Sequence, residues 1–358
     1  MIWRLGLGLT LAACARDGQS TPPVETDSDA ETEDSDPTIS VDDPYGDIAL
    51  LPIPESFSDN GDGTWSLATG DELYDVGLAF YAEYPDSFDF LVVYTEFEVA
   101  GLFAFAVPLD HDIEGIGLQE VMALYGWSDL SPATAGSDGR LQQIQLMNGP
   151  DVYIPGALFG PQDILVHETG HRWSAYAQIP GPDPFALTDT WHSHWNVYGN
   201  VGGPSALGYG QLVDGGNGRF TYEIVVPLQY SNLELYQQGL IGADEVGPLF
   251  GVESPTNFDP PTNGAAAWDA GSFGSPASYD ATRLDFDIDD VISMHGPRVP
   301  AAVDAQAEFR FAFALVCAEP AACDGAALEF VEAQRTAFVA TFSAATGGRG
   351  TARTDLQP

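Results

Sequence analysis

The chain has no lysine. All 11 basic residues are arginines, set against 53 aspartates and glutamates, for a formal charge of −42 over 358 residues. Such a surface repels phosphate backbones, and no stripe of arginines gathers to displace counterions, so nucleic acid is not an expected partner. Solubility is the reading the charge supports, as in a salty medium that screens self-repulsion. Cysteine is scarce at three residues, too few in any one segment to build a zinc knuckle. No apolar run after the first few residues is long enough to cross a bilayer, and no internal repeat is present. A GxSxG elbow, a phosphate loop and a dinucleotide fingerprint are all missing. What remains is 44% hydrophobic, enough for a substantial core and incompatible with wholesale disorder.

The first 14 residues, MIWRLGLGLTLAAC, place Arg4 ahead of a short apolar run and small residues before a cysteine. An apolar run of about eight residues cannot span a membrane and reads as an export signal. Leu11-Ala12-Ala13-Cys14 resembles the lipobox of bacterial lipoproteins. The resemblance implies cleavage before Cys14, a diacylglycerol on its sulfur, and an extracytoplasmic, lipid-anchored location with the outer membrane favoured. Cys317 and Cys323 are then left to pair in an oxidising compartment. Residues 14–45 are acidic, rich in Ser and Thr, and nearly free of large apolar groups. They cannot bury enough surface to offset ordering entropy, so a disordered, self-repelling tether is expected.

Order is expected from about residue 46. Ser58 to Leu67 reads as a hairpin around Asn-Gly and Asp-Gly turns, a better account of Asp59, Asn60 and Asp62 than a calcium loop with missing ligands. Phe88–Tyr94, Gly101–Pro108 and Leu141–Met147 read as strands, the last alternating apolar and polar. Phe220–Val226 is a further strand, and Ser231 caps a short helix that ends near Gly239. Residues 285–296 suit a strand running into an Asp-capped helix, and a last helix covers about 326–342.

Residues 167–171, His-Glu-Thr-Gly-His, carry the chemistry. In a helix, side chains four apart lie one turn above each other, so two imidazoles can converge on one zinc ion. Glu168 points roughly 100° around the helix, off the ligand face but within reach of water at the metal's open position. Two ligands and a general base thus come from one turn. Pro161 and Asp163 suit the helix start, and Ile164, Leu165, Val166 and Trp173 provide a surface to bury.

HETGHRW resembles the metal-binding helix of zincin metallopeptidases. Gly115-Ile116-Gly117, Gly139-Arg140-Leu141, His194-Trp195, the YSNLELYQQGL segment with Glu245-Val246, and GPRVP at 296–300 look like segments of uncharacterised bacterial surface lipoproteins in that group. The similarity covers most of residues 80–345. A metzincin would place glycine and a third histidine where Ser174 and Ala177 stand. A thermolysin-like glutamate about twenty residues on is missing, and an aspzincin aspartate would stand where Trp195 does. For the third ligand, His194 in TDTWHSHWN is favoured, Glu234 on the short helix is the alternative, and Asp189 and His192 remain candidates. His192, Tyr198 and Tyr209 are candidates for steadying an oxyanion.

The resemblance implies an α+β fold: a zincin-like catalytic domain with a mixed, mostly antiparallel sheet packed on the HExxH helix and a loop-rich, helical lower half. The expected organisation is a lipoprotein signal peptide at 1–13, the lipid-anchored tether at 14–45 and a metallopeptidase domain at 46–358. The expected activity is zinc-dependent hydrolysis of peptide bonds in protein substrates, with His167, His171 and His194 as ligands and Glu168 as base. The alternative is a degenerate zincin whose zinc is structural and which serves as a surface binding or adhesion module.

Overall fold

A computed structural model describes residues 45–110, 112–125, 131–189, 191–259 and 277–357. The expected signal segment, Cys14, nearly all of the tether, and His111 lie outside the described residues. Strand β1 (Ile48–Pro52) leads into a hairpin of β2 (Ser58–Asp59) and β3 (Thr64–Ser66), then helix α1 (Glu72–Glu83). Next come β4 (Phe90–Thr95), β5 (Glu98–Val99), β6 (Phe105–Pro108), helix α2 (Leu118–Tyr125), β7 (Gln143–Asn148) and helix α3 (Pro161–Gly170). The later half contains β8 (Gly199–Asn200), β9 (Gly210–Asp214), β10 (Arg219–Ile224), α4 (Asn232–Gln238), β11 (Leu249–Asp259) and β12 (Ala277–Phe286). Helix α5 (Ile288–His295), β13 (Glu308–Cys317), α6 (Gly325–Ala345) and β14 (Thr351–Arg353) follow.

The class is α+β with mixed sheets. The sheet beside α3 has the order β1-β13-β4-β7-β6, with β14 also pairing β13. Its pairings are parallel except for β6 on β7. The expectation of a mostly antiparallel sheet on the HExxH helix is therefore corrected. Parallel strands need long crossovers, and here α1 lies in the connection from β1 to β4 and α6 in that from β13 to its parallel neighbour β14. Antiparallel pairing instead dominates a second, five-stranded sheet, β8-β11-β12-β10-β9, in the half expected to be loop-rich and helical apart from the strands near Phe220–Val226 and Asp285.

Parallel sheets are buried on both faces, and β4 shows how. All six of its residues are buried. Phe90, Val92 and Tyr94 join one core with Ile164, Leu165 and Val166 of α3, while Leu91 and Val93 join a second core with Leu73, Val76 and Phe80 of α1. β13 divides the same way, sending Phe309, Phe311 and Phe313 to the first core, where Phe338 and Phe342 of α6 meet them. In β7 the polar row of the alternation does not face water. Gln143 and Gln145 are fully buried and hydrogen-bond α3: Gln143 Nε2 donates to the Glu168 carbonyl at 2.8 Å and Gln145 Nε2 to Thr169 Oγ1 at 3.2 Å.

The Asp59–Thr64 segment is a turn: Asp59 Oδ1 accepts from Gly61 N and Asp62 Oδ1 from Thr64 N. Cys317, at the end of β13, is bonded to Cys323 with their Cα atoms 5.5 Å apart. No helix among the described residues is long and apolar enough to cross a membrane.

Candidate metal centre

Helix α3 begins as its sequence dictates. Pro161 occupies the first turn, where its missing N–H is not needed. Asp163 reaches back to accept from Gly160 N at 3.0 Å and also accepts from Leu228 N at 2.9 Å, fixing the helix start against the later chain. Residues 164–170 are all buried. The helix ends inside the motif: His171 is its C-cap, and its N–H donates to the Glu168 carbonyl at 3.2 Å. Trp173 is buried but lies beyond the helix, in the turn that follows. Gly170 permits a close crossing, since a Cβ there would stand 2.2 Å from Leu207 Cδ2. That crossing brings the Ala206–Tyr209 turn against the histidines.

His167, His171 and His194 form a buried group that can hold a metal ion. His167 Nε2 lies 3.2 Å from His194 Nε2 and 3.2 Å from His171 Nε2. A tetrahedral ion with bonds of about 2.0–2.1 Å would separate its nitrogens by roughly 3.3–3.4 Å, close to this spacing. Tautomers strengthen the argument. His167 Nδ1 is 2.9 Å from the Ala206 carbonyl, which can only accept, so that nitrogen carries the proton. His194 Nδ1 is 3.0 Å from Asp189 Oδ2 and donates to it. With those protons on Nδ1, the two neutral rings turn their Nε2 lone pairs toward each other, an arrangement that a cation between them would satisfy. Burial, and then proximity to His194, holds the His167 and His171 imidazoles well below their ordinary pKa, which keeps both rings neutral.

Asp189 completes the support of His194. One oxygen takes His194 Nδ1, while the other accepts the backbone N–H groups of Trp191 and Ser193, both at 3.1 Å. Burial works to raise this carboxyl, yet the His194 hydrogen bond and these backbone donors hold it below its ordinary range. The sequence marked Asp189 as a possible ligand; it lies one shell out. The only cue was the acidic residue five positions before His194.

Glu168 is 3% exposed, and its Oε2 has no hydrogen-bond partner. Burial pushes its carboxyl up to about 8. Across the cluster, the Tyr209 hydroxyl is 3.1 Å from His167 Nε2, and its ring stacks on that imidazole with centroids 4.4 Å apart. Tyr209 holds a left-handed φ of 61°, unusual for a bulky residue, and Phe159 packs on it at 4.8 Å.

Glu234, the alternative third ligand, lies outside the three-histidine group. It is the third residue of α4 and closes a capping box with Ser231. Its oxygens accept from Ser231 N at 2.6 Å, Ser205 Oγ at 2.8 Å, Leu207 N at 2.9 Å and Trp195 Nε1 at 3.2 Å. Glu234 thus braces the two segments that carry His194 and Tyr209. His192 is turned away, stacked on Phe185 at 3.8 Å, and Tyr198 packs edge-on to Tyr279 in the second sheet. His295 accepts from Gln178 N at 2.8 Å through Nε2.

No protein-family model matches this chain, and neither does any curated protein or solved structure.

Proposed function

We propose that the chain is a zinc-dependent peptidase of the zincin type, with His167, His171 and His194 holding the ion and Glu168 acting as general base. The observation that carries this reading is the convergence of three buried histidines, each offering a ring nitrogen, beside a buried carboxyl whose Oε2 has no partner. Three imidazoles suit zinc, and bound zinc would supply Lewis acidity toward a carbonyl and acidify water. Glu168, when ionised, takes a proton from the attacking water and returns it to the leaving amine nitrogen. The Gln143 bond to its backbone carbonyl holds that residue in place. The Tyr209 hydroxyl is a donor for charge developing on the substrate oxygen. Exposed Ile154 and Leu158 ahead of α3, and Trp191 beside His194, offer apolar contacts for a peptide. The lipobox-like N-terminus supports a place outside the cell membrane, where substrates would be extracytoplasmic proteins.

One observation favours a second reading. His167, His171, His194 and Glu168 are each at most 5% exposed, and a hydroxyl occupies a further side of the cluster. Structural zinc sites are closed in this way, which suits a surface binding module. Metal analysis of the purified chain beside casein cleavage, with and without chelator, separates the two. Metal-dependent cleavage that Glu168→Gln abolishes while metal is retained supports the peptidase. Retained metal without cleavage, together with unfolding on chelation, supports the binding module.

A further inference from the structure

A cavity of about 480 Å³ opens away from the three histidines and from Glu168, none of which lines it. Its wall includes Arg172 and Arg298. Seven of the nine described arginines pair with a carboxylate. Arg172 and Arg298 are the two that do not, although the chain has 53 acidic residues. They are also buried, at 1% and 6% exposure. A buried cation without a counter-ion is costly. Arg298 offsets part of that cost by donating to the backbone carbonyls of Gln237 and Gln238 at the end of α4 and to that of Pro300. Arg172 makes one side-chain bond, from Nε to Gln142 Oε1 at 3.0 Å, and its Nη1 has no partner. Gln238, on the same wall, is equally buried, with neither amide atom hydrogen-bonded.

We propose that this cavity is a binding site for a small α-amino or α-hydroxy carboxylate. Its carboxylate accepts from Arg172 and from the Gln238 amide nitrogen, and its α-substituent donates to the Gln238 carbonyl oxygen. Arg298 contributes charge without needing a further bond. Asp89 and Asp110 on the wall, with Asp112, disfavour a phosphate dianion and tolerate an ammonium group. Asp89 itself is committed, accepting from Arg140, Gln142, Gln306 and the backbone of Arg310. Trp173 and Phe309, with ring centroids 5.3 Å apart, give the cavity an apolar side. The volume falls in the range of small-ligand pockets. This inference is independent of the metal reading.

The test is calorimetric titration of the full chain with glycine, L-lactate, acetate and inorganic phosphate. Saturable binding of glycine or L-lactate, tighter than acetate, is expected, together with a loss of about tenfold or more in affinity in Gln238→Met. Arg172→Gln should abolish binding. If that variant does not fold, Gln238→Met, verified by an unchanged melting temperature and metal content, decides alone. Absence of saturable binding by any carboxylate, binding unaffected by Gln238→Met, or tighter binding of phosphate would each overturn the assignment.

Discussion

Replacing Glu168 by glutamine separates the base from the ligands and has a consequence for stability that needs no substrate. The carboxyl is almost fully buried, and burial moves it from an ordinary 4.5 to about 8. A group whose folded pKa is raised binds more protons folded than unfolded between those two values. Its favourable contribution is complete below about 4.5 and is lost as pH rises through 8. A shift of this size corresponds to about 5 kcal/mol of folding free energy lost between acid and pH 9 in the metal-free protein. Glutamine has the same shape and no proton to lose. Every other titrating group is common to both proteins and cancels in the comparison. Urea denaturation of both proteins in chelator, at pH 5, 7 and 9, should show Glu168→Gln gaining on the parent by several kcal/mol towards pH 9. A bound cation should shrink the difference, because its charge favours the carboxylate. Parallel pH profiles in chelator would refute the reasoning, since they would mean that the carboxyl reaches solvent. In the metal-loaded protein the same variant should lose about 10²–10⁴-fold in peptide hydrolysis if Glu168 is the base.

Asp189→Asn should weaken metal affinity by about 10–100-fold, read by competition with a chromophoric chelator, because it removes the acceptor that orients His194. Unchanged affinity would mean that the His194–Asp189 contact does no orienting. Glu234→Gln should cost about 1–3 kcal/mol in a denaturant melt while metal stoichiometry is preserved; loss of metal from an otherwise stable variant would return Glu234 to the ligand set. The His167 and His171 imidazoles lie well below the ordinary 6.5, so protons compete with metal at these two ligands only well below that value. Metal content measured after dialysis across a pH series should therefore hold through 6.5, and half-release near 6.5 would contradict the burial argument.

Much of the local structure could be read from the residues. The i,i+4 histidines, the Pro161 start, the Ser231 cap and the Asp287-capped helix all follow from rules acting within a few positions. His194 was reachable because a histidine flanked by polar and aromatic residues in a loop is a reasonable donor. Glu234 shows the opposite case. Ser-x-x-Glu is a capping signature, so the residue three beyond Ser231 was already assigned by local physics before any metal was considered. Strand direction was not legible, because a buried run such as Phe90–Thr95 looks alike in parallel and antiparallel pairings. β13, the strand between β1 and β4, reads as a plain apolar run that periodicity alone cannot tell from a helix. The burial of the β7 glutamines was not legible, because their partners are α3 groups 24 and 25 positions away.

The donors of the histidine cluster come from two stretches of chain 27 positions apart, with a third stretch at Ala206 fixing one of the rings. An ion seated among them would act as a removable cross-link, closing a loop that is otherwise held by core packing of Trp173, Tyr176 and Leu187 and by hydrogen bonds.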